Sequence, residues 1–143
     1  MIAVALLHPK VSPKVVDRFR SSGIDIHIQD NLQDPTNVSA ALIFGGDGTV
    51  HRHLSRLHQQ KIPMLVVPTG SGNDFAKALG VRSVEIALRA WQQFGADGTN
   101  VKEIDLGVIR SRSQQTLFCC VAGIGMDAEA NARANRMPPW LKK

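Results

Sequence analysis

Tyrosine is absent from the 143-residue chain and aromatic residues make up only 5% of it. That leaves few rings on which bases could stack, and a nucleic-acid-binding surface is not expected. Gly at 12 and Pro at 7 are too sparse for collagen-like or low-complexity sequence. No apolar run approaches the ~18 residues of a membrane span. Residues 1–7 are apolar, but they are shorter than a secretory leader and no basic stretch precedes them, so the expected location is the cytoplasm. The two cysteines, Cys119 and Cys120, are adjacent. Neighbouring cysteines close a tight, strained ring, so free thiols on a buried strand are expected. The five histidines form no ligand set, and a structural metal site is not expected.

What remains is an ordinary globular composition, 43% hydrophobic and 20% charged, with length for one domain or one domain plus part of another. Lys and Arg number 17 against 12 Asp and Glu, a net charge of +5. A solvated basic surface and an anionic partner explain that surplus equally well.

Residues 2–7 read as a buried strand, and Ser12-Pro13 as a helix start, with a hydroxyl cap before a proline that needs no N–H. Val15, Val16 and Phe19 give that helix its apolar face, and Gly23 can end it. Ile24, Ile26 and Ile28 alternate with polar residues, as in a strand covered on one face. Residues 40–44 and 64–67 are further buried strands, each running into a glycine-rich loop and then a helix. Gly80 stops the second of these helices, and Val84, Leu88 and Trp91 mark another. Strands alternating with helices predict an α/β fold with a parallel sheet flanked by helices over residues 1–100. From residue 101 the pattern changes. Residues 101–109 and 116–122 read as two strands joined by a polar turn, the beginning of an incomplete β-rich second domain over residues 101–143. The stretch 127–136 is helix-permissive.

The loops carry the chemistry. Gly45, Gly46 and Gly48, followed by Thr49, and Gly70 and Gly72, flanked by Thr69 and Ser71, both stand after buried strands. Glycine lets an anion reach the backbone, and the N–H groups of the next helix then face it. An ordinary strand–helix turn explains one such loop; two of them are harder to dismiss. Neither is a Walker A loop or a dinucleotide fingerprint. Asp47 and Asp74 sit inside these loops, either as Mg²⁺ ligands, directly or through water, or as helix N-caps. Asn73 is an alternative cap for the second helix.

Gly45-Gly46-Asp47-Gly48-Thr49 together with Pro68-Thr69-Gly70-Ser71-Gly72-Asn73-Asp74-Phe75-Ala76 resembles the diacylglycerol kinase catalytic domain, whose relatives include sphingosine and ceramide kinases. The first motif is shared with NAD kinases; the second points to the lipid-kinase branch. Glu103-Ile104-Asp105-Leu106-Gly107 and residues 122–128 look like that family's entry into a β-sandwich domain. The resemblance implies an enzyme that transfers the γ-phosphoryl group of ATP to a lipid hydroxyl, such as that of diacylglycerol, with Mg²⁺ as cofactor. Carried over by position, Gly45, Gly46, Asp47, Gly48, Thr49, Val50, His51 and Thr69 would contact the nucleotide, with Gly70, Ser71, Gly72 and Asn73 beside them. Asp47, Asp74 and Asp105 would form the acidic catalytic centre, and Asp47 and Asp74 would hold the metal. Peripheral association with the inner membrane surface and a homodimer both stay open.

Three features depart from the family pattern. His8-Pro9-Lys10 stands where the family carries Asn-Pro, and His51-Arg52 where it carries Asn-Glu. The third is that no segment matches the general base and lipid site of the second domain, so the expectation is a truncated lipid kinase, inactive by itself. A non-catalytic nucleotide-binding module acting with a partner is the alternative, and an NAD kinase-like enzyme a weaker one.

Overall fold

A computed structural model describes residues 2–20, 24–29 and 37–122, and in the C-terminal stretch residues 128, 129, 132, 133 and 136. In chain order the elements are β1 (Ile2–Leu7), α1 (Pro13–Arg20), β2 (Asp25–Gln29), β3 (Val38–Gly45), α2 (Asp47–Gln59), β4 (Met64–Pro68), α3 (Asp74–Ala78), α4 (Val84–Asp97), β5 (Gly107–Arg110) and β6 (Gln115–Phe118). The first four strands form one parallel sheet in the order β2-β1-β3-β4, and β5 and β6 form a separate antiparallel pair. The expected α/β fold with a small β-rich continuation is what the chain adopts.

The central strands are apolar except at Ser39, near the start of β3, because helices cover both sheet faces. Ala3 and Ala5 of β1 and Ala40, Leu42 and Phe44 of β3 meet Val16 and Phe19 of α1 and Ala87 and Trp91 of α4. The alternate residues, Val4, Leu6, Ala41 and Ile43, meet Val50 and Leu57 of α2 and Phe75 and Ala76 of α3. Phe19 and Phe44 pack edge to face at 5.1 Å, and the Trp91 indole N–H donates to the Phe19 carbonyl at 3.3 Å. This ties α4 to α1 across the first layer, where Arg18 and Glu85 add an exposed ion pair at 3.2 Å.

Helix ends follow the residues that mark them. The Ser12 carbonyl accepts from Val15 N–H, and Pro13 opens α1. Ser83 Oγ accepts from Ile86 N–H at 3.3 Å and caps α4, which Gly98 closes at φ 67°. Gly80, at φ 82°, follows α3 as a stop must. Gly23, the expected end of α1, lies outside the described residues.

Three expectations change in detail. Ile24, just before β2, and Ile26 on it are buried but Ile28 is 50% exposed, on an edge strand with a neighbour on one side only. Residues 101–106 form no ladder; Lys102, Ile104 and Leu106 instead line a cleft beside β4, and the hairpin starts at Gly107. There the Phe118 ring lies where a Gly107 side chain would project. The cysteine pair lies past the end of β6 rather than on a buried strand, with Cys119 half-buried and Cys120 exposed, both free. Ser111 N–H donating to the Gln114 carbonyl at 2.8 Å closes the hairpin turn. Of the stretch 127–136, residues 128, 129, 132, 133 and 136 are helical and the others lie outside the described residues.

Candidate functional site

Chain direction through the sheet locates the site. From β1 the chain passes through α1 to β2 on one side; from β3 it passes through α2 to β4 on the other. The order therefore reverses between β1 and β3, and the loops leaving their carboxyl ends flank a crevice of the kind that takes ligands in open α/β sheets. His8 N–H donates to the Phe44 carbonyl at 2.9 Å, and Thr69 N–H to the Gly45 carbonyl at 3.3 Å, so the exits of β1, β3 and β4 lie side by side. His8 Nδ1 accepts from Lys10 N–H at 3.3 Å, which fixes the short loop on the far wall.

The first glycine loop is a single residue. Gly45 ends β3, Gly46 is the N-cap, and α2 begins at Asp47. Gly46 brings no side-chain cap to the helix, and its carbonyl accepts from both Thr49 N–H and Val50 N–H. The N–H groups of Asp47 and Gly48 are left without an intrahelical acceptor at the positive end of a 13-residue helix.

The two loops are bound to each other. Both oxygens of Asp47 accept backbone N–H groups of the second loop's helix: Oδ2 from Asp74 and Oδ1 from Phe75, each at 3.0 Å. Asp47 is thus an N-cap, but for α3 rather than for its own helix. Asn73 sits at φ 70° and closes the second loop on itself: its Oδ1 accepts from Gly70 N–H at 3.1 Å and its Nδ2 donates to the Gly70 carbonyl at 2.7 Å. Asn73 therefore uses both ends of its amide on the loop and gives α3 no side-chain cap. Asp74 points to solvent, with Lys77 Nζ 3.0 Å from its carboxylate.

The glycines are explained by this packing as much as by an approaching anion. A Cβ on Gly70 would stand 2.6 Å from the Gly46 backbone, and one on Gly72 would stand 2.8 Å from Asp47 Oδ2. A Cβ on Gly46 would be 3.3 Å from Gly70 Cα and Asn73 Oδ1. The Thr49 side chain is buried and fills the space over Gly45, so its hydroxyl does not face the crevice. Gly48 alone among these glycines has nothing within 4 Å of where a side chain would go.

The structure brings Gly45, Gly46, Asp47, Gly48, Gly70, Ser71, Gly72, Asn73 and Asp74 into one double loop, with Thr69 at its edge. The Val50 side chain is in the core, so that residue can offer a ligand only its backbone, and His51 is exposed on the first turn of α2. Asp105 is exposed in the irregular stretch before β5, and no hydrogen bond or ion pair joins it to Asp47 or Asp74 among the described residues.

Two neighbours were not legible beforehand. The β5–β6 hairpin packs against α2, and the thiols beyond it feel the acidic pair. Burial first, then the adjacent thiol and Asp47, push the Cys119 thiol up; burial, then Asp47 and Asp74, push Cys120 up. Both thiols are held protonated and are poor nucleophiles. No spacing in the sequence relates Cys119 to Asp47; only the hairpin's return does. His53 is the other: it is 5% exposed on α2, and burial, helped by the Arg52 guanidinium, lowers its pKa.

The model of the diacylglycerol kinase catalytic domain matches residues 11–109. A diacylglycerol kinase of Mycobacterium tuberculosis is 33% identical over 90% of this chain and 44% of its own length. A Shewanella frigidimarina protein named "Probable lipid kinase YegS-like" is 28% identical over 66% of this chain and 30% of its own. The crystal structure of an Archaeoglobus fulgidus NAD kinase in complex with ATP matches 49% of this chain and 28% of that one, with 19% identity and a TM-score of 0.38. The chain spans less than half the length of the curated relatives it matches. By the match of the family model across both glycine loops, the chain belongs to the diacylglycerol kinase catalytic domain family.

Proposed function

We propose that this chain is the nucleotide-binding part of an ATP-dependent lipid kinase, which transfers a phosphoryl group to the hydroxyl of a lipid such as diacylglycerol. One observation carries the reading: the amino end of α2, uncapped and open at Gly48, faces the crevice where the strand order reverses. Two orphan N–H groups at a helix dipole's positive end suit a phosphate group. His8 and Lys10 stand on the opposite wall, and Thr69 and Ser71 offer exposed hydroxyls on the rim.

Mg²⁺ fits this loop unequally. Asp47 already gives each oxygen to an N–H, so it would reach the ion through water. The Asp74 carboxylate is free apart from an exposed lysine, and with phosphate oxygens and water it makes the sparse ligand set this ion accepts. When bound, the ion would neutralise charge that builds up on the transferring phosphoryl group. The chain's own contribution is rigid positioning: Asp47 fixes the second loop against the first, and α2 presents its dipole to the phosphate.

Residues 101–143, which include the hairpin, are read as the opening of a second, β-rich domain, with the lipid site and proton acceptor supplied beyond this α/β layer. Peripheral contact with a membrane, where the lipid resides, belongs to that whole protein. Calorimetric titration of the chain with ADP and ATP, with and without Mg²⁺, tests the reading. Saturable binding strengthened by Mg²⁺ is expected, and it should weaken in Asp74→Asn. No binding of either nucleotide at millimolar concentration would reject it.

A further inference from the structure

At the opposite end of the sheet from the glycine loops lies a cleft of about 360 Å³, within the ~300–1,000 Å³ range of small-molecule sites. Leu57 near the end of α2, Ile62 in the turn after it, Met64 on β4, Phe75 on α3, Leu79 just past α3, and Phe94 on α4 give it an apolar floor. Large apolar side chains stand uncovered at its margin: Leu79 is 44% exposed, Val101 50% and Ile104 43%. Apolar residues gathered around a concavity mark a binding surface rather than scattered exposure.

Of the strap that closes one side, Asn100, Val101, Lys102, Ile104 and Leu106 line the cleft, whereas Glu103 and Asp105 do not. The strap therefore offers the cleft one cation and no carboxylate. Lys102 has no acidic partner among the described residues. His58 also lines the cleft, and no acidic residue does among the described residues.

We propose that this cleft binds one long-chain fatty acylate, its tail on the apolar floor and its carboxylate at Lys102. The charge asymmetry selects an amphiphile with a single anionic head over a neutral apolar ligand. The site is separate from the nucleotide crevice and stands independently of the kinase reading. It is nevertheless joined to that crevice, because Phe75 lines the cleft with its side chain while its N–H is held by Asp47. An acyl chain against Phe75 therefore steadies α3 and, through it, the double loop.

Trp91 also lines the cleft and supplies a reporter; Trp140→Phe leaves it the sole tryptophan. Oleate, titrated below its micelle concentration into that variant, should change Trp91 emission saturably with one equivalent bound. Methyl oleate, with the same chain and no charge, and the exposed-residue variant Lys102→Glu should each bind on the order of three- to tenfold more weakly, as befits a rim charge. Ile104→Arg, also at an exposed position, should obstruct the cleft and abolish the change. Hydrogen exchange at the Phe75 amide should slow when oleate binds. Equal binding of oleate and methyl oleate, or indifference to Lys102→Glu, would overturn the assignment in favour of nonspecific partition. Absence of saturation would overturn it outright. Sedimentation showing that the cleft is covered by a second copy of the chain would replace the acylate with a homodimer contact. Saturable binding with unchanged Phe75 exchange would remove the coupling to the loops.

Discussion

Replacing Gly48 by alanine separates two jobs that glycine does in these loops. A Cβ there meets nothing within 4 Å, and the residue lies in the first turn of α2 without a positive φ. Alanine should therefore stabilise the free protein by ~0.5–1 kcal/mol, through helix propensity and a less flexible unfolded chain. For a chain of this size that raises Tm by about 2–4 °C. The same Cβ tilts toward the amino end of the helix, which is where an anion would approach the Asp47 and Gly48 N–H groups. Displacing the anion from one charge-assisted hydrogen bond costs ~1.5–3 kcal/mol, a factor of about 10–150 in Kd. A melting curve and a titration with Mg-ADP read the two effects on one sample: Tm should rise while affinity falls. Gly46→Ala makes a useful contrast, because its Cβ presses on Gly70 Cα and Asn73 Oδ1 and should lower Tm and affinity together. If Gly48→Ala raises Tm and leaves ADP affinity unchanged, the phosphate does not sit on the end of α2, and the reading of the site is wrong.

Asp47→Asn should destabilise the unliganded chain by ~1–3 kcal/mol in urea titration, since an amide has one acceptor oxygen for two N–H groups. Asp74→Asn, at an exposed carboxylate, should leave stability within ~0.5 kcal/mol and show its effect only in the Mg²⁺ dependence of nucleotide binding. His53 has a lowered pKa in the fold, so below its ordinary value of 6.5 the unfolded chain takes up more protons than the folded one. Stability should fall as pH drops below about 6.5, and His53→Gln should flatten that slope in denaturation curves taken across the range. The β5–β6 hairpin has two strands only, and its amides should exchange with deuterium faster than those of β1 and β3; equal protection would show that it is held as firmly as the sheet.

Much of the α/β layer was legible because its cues are local. Ser12-Pro13 and Gly80 mark helix ends by their own conformational preferences, and the apolar runs of β1, β3 and β4 can be satisfied only between two helical layers. The first strand of the hairpin is shorter than the sequence suggests: residues 101–106 mix apolar and polar side chains as a strand can, but they pair with no strand and several of them line a cleft. In the site, the motif residues were identified and their individual tasks were not. Asp47 and Asp74 look alike in sequence, each in a glycine-rich loop before a helix, yet Asp47 spends both oxygens across the loops and Asp74 faces solvent. Thr49 and Val50 belong to the motif by position and to the core by packing. Such differences depend on contacts between residues far apart in the chain, as Asp47 and Phe75 are, and periodicity carries no information about those.

The cross-loop cap also changes what the paired glycine motifs mean. Were each glycine there to admit an anion, either loop by itself would suffice as a cradle and the two would vary independently. Gly70 has no room for a side chain because Gly46 backbone lies against it, and Gly72 because the Asp47 carboxylate does. Asp47 can reach α3 only if both glycines are present, and α3 has only five residues and no side-chain cap of its own, so it needs Asp47 to satisfy its first N–H groups. The two motifs are therefore one structural unit whose parts constrain each other, and Gly48 is left as the position that packing within the protein does not constrain. Packing thus accounts for four glycines, Gly45 against Thr49 and Gly46, Gly70 and Gly72 across the loops, and the proposed ligand access rests on Gly48. It also means that a substitution at Gly45, Gly46, Gly70 or Gly72 reports on the loop first, whereas one at Gly48 tests the proposed nucleotide contact.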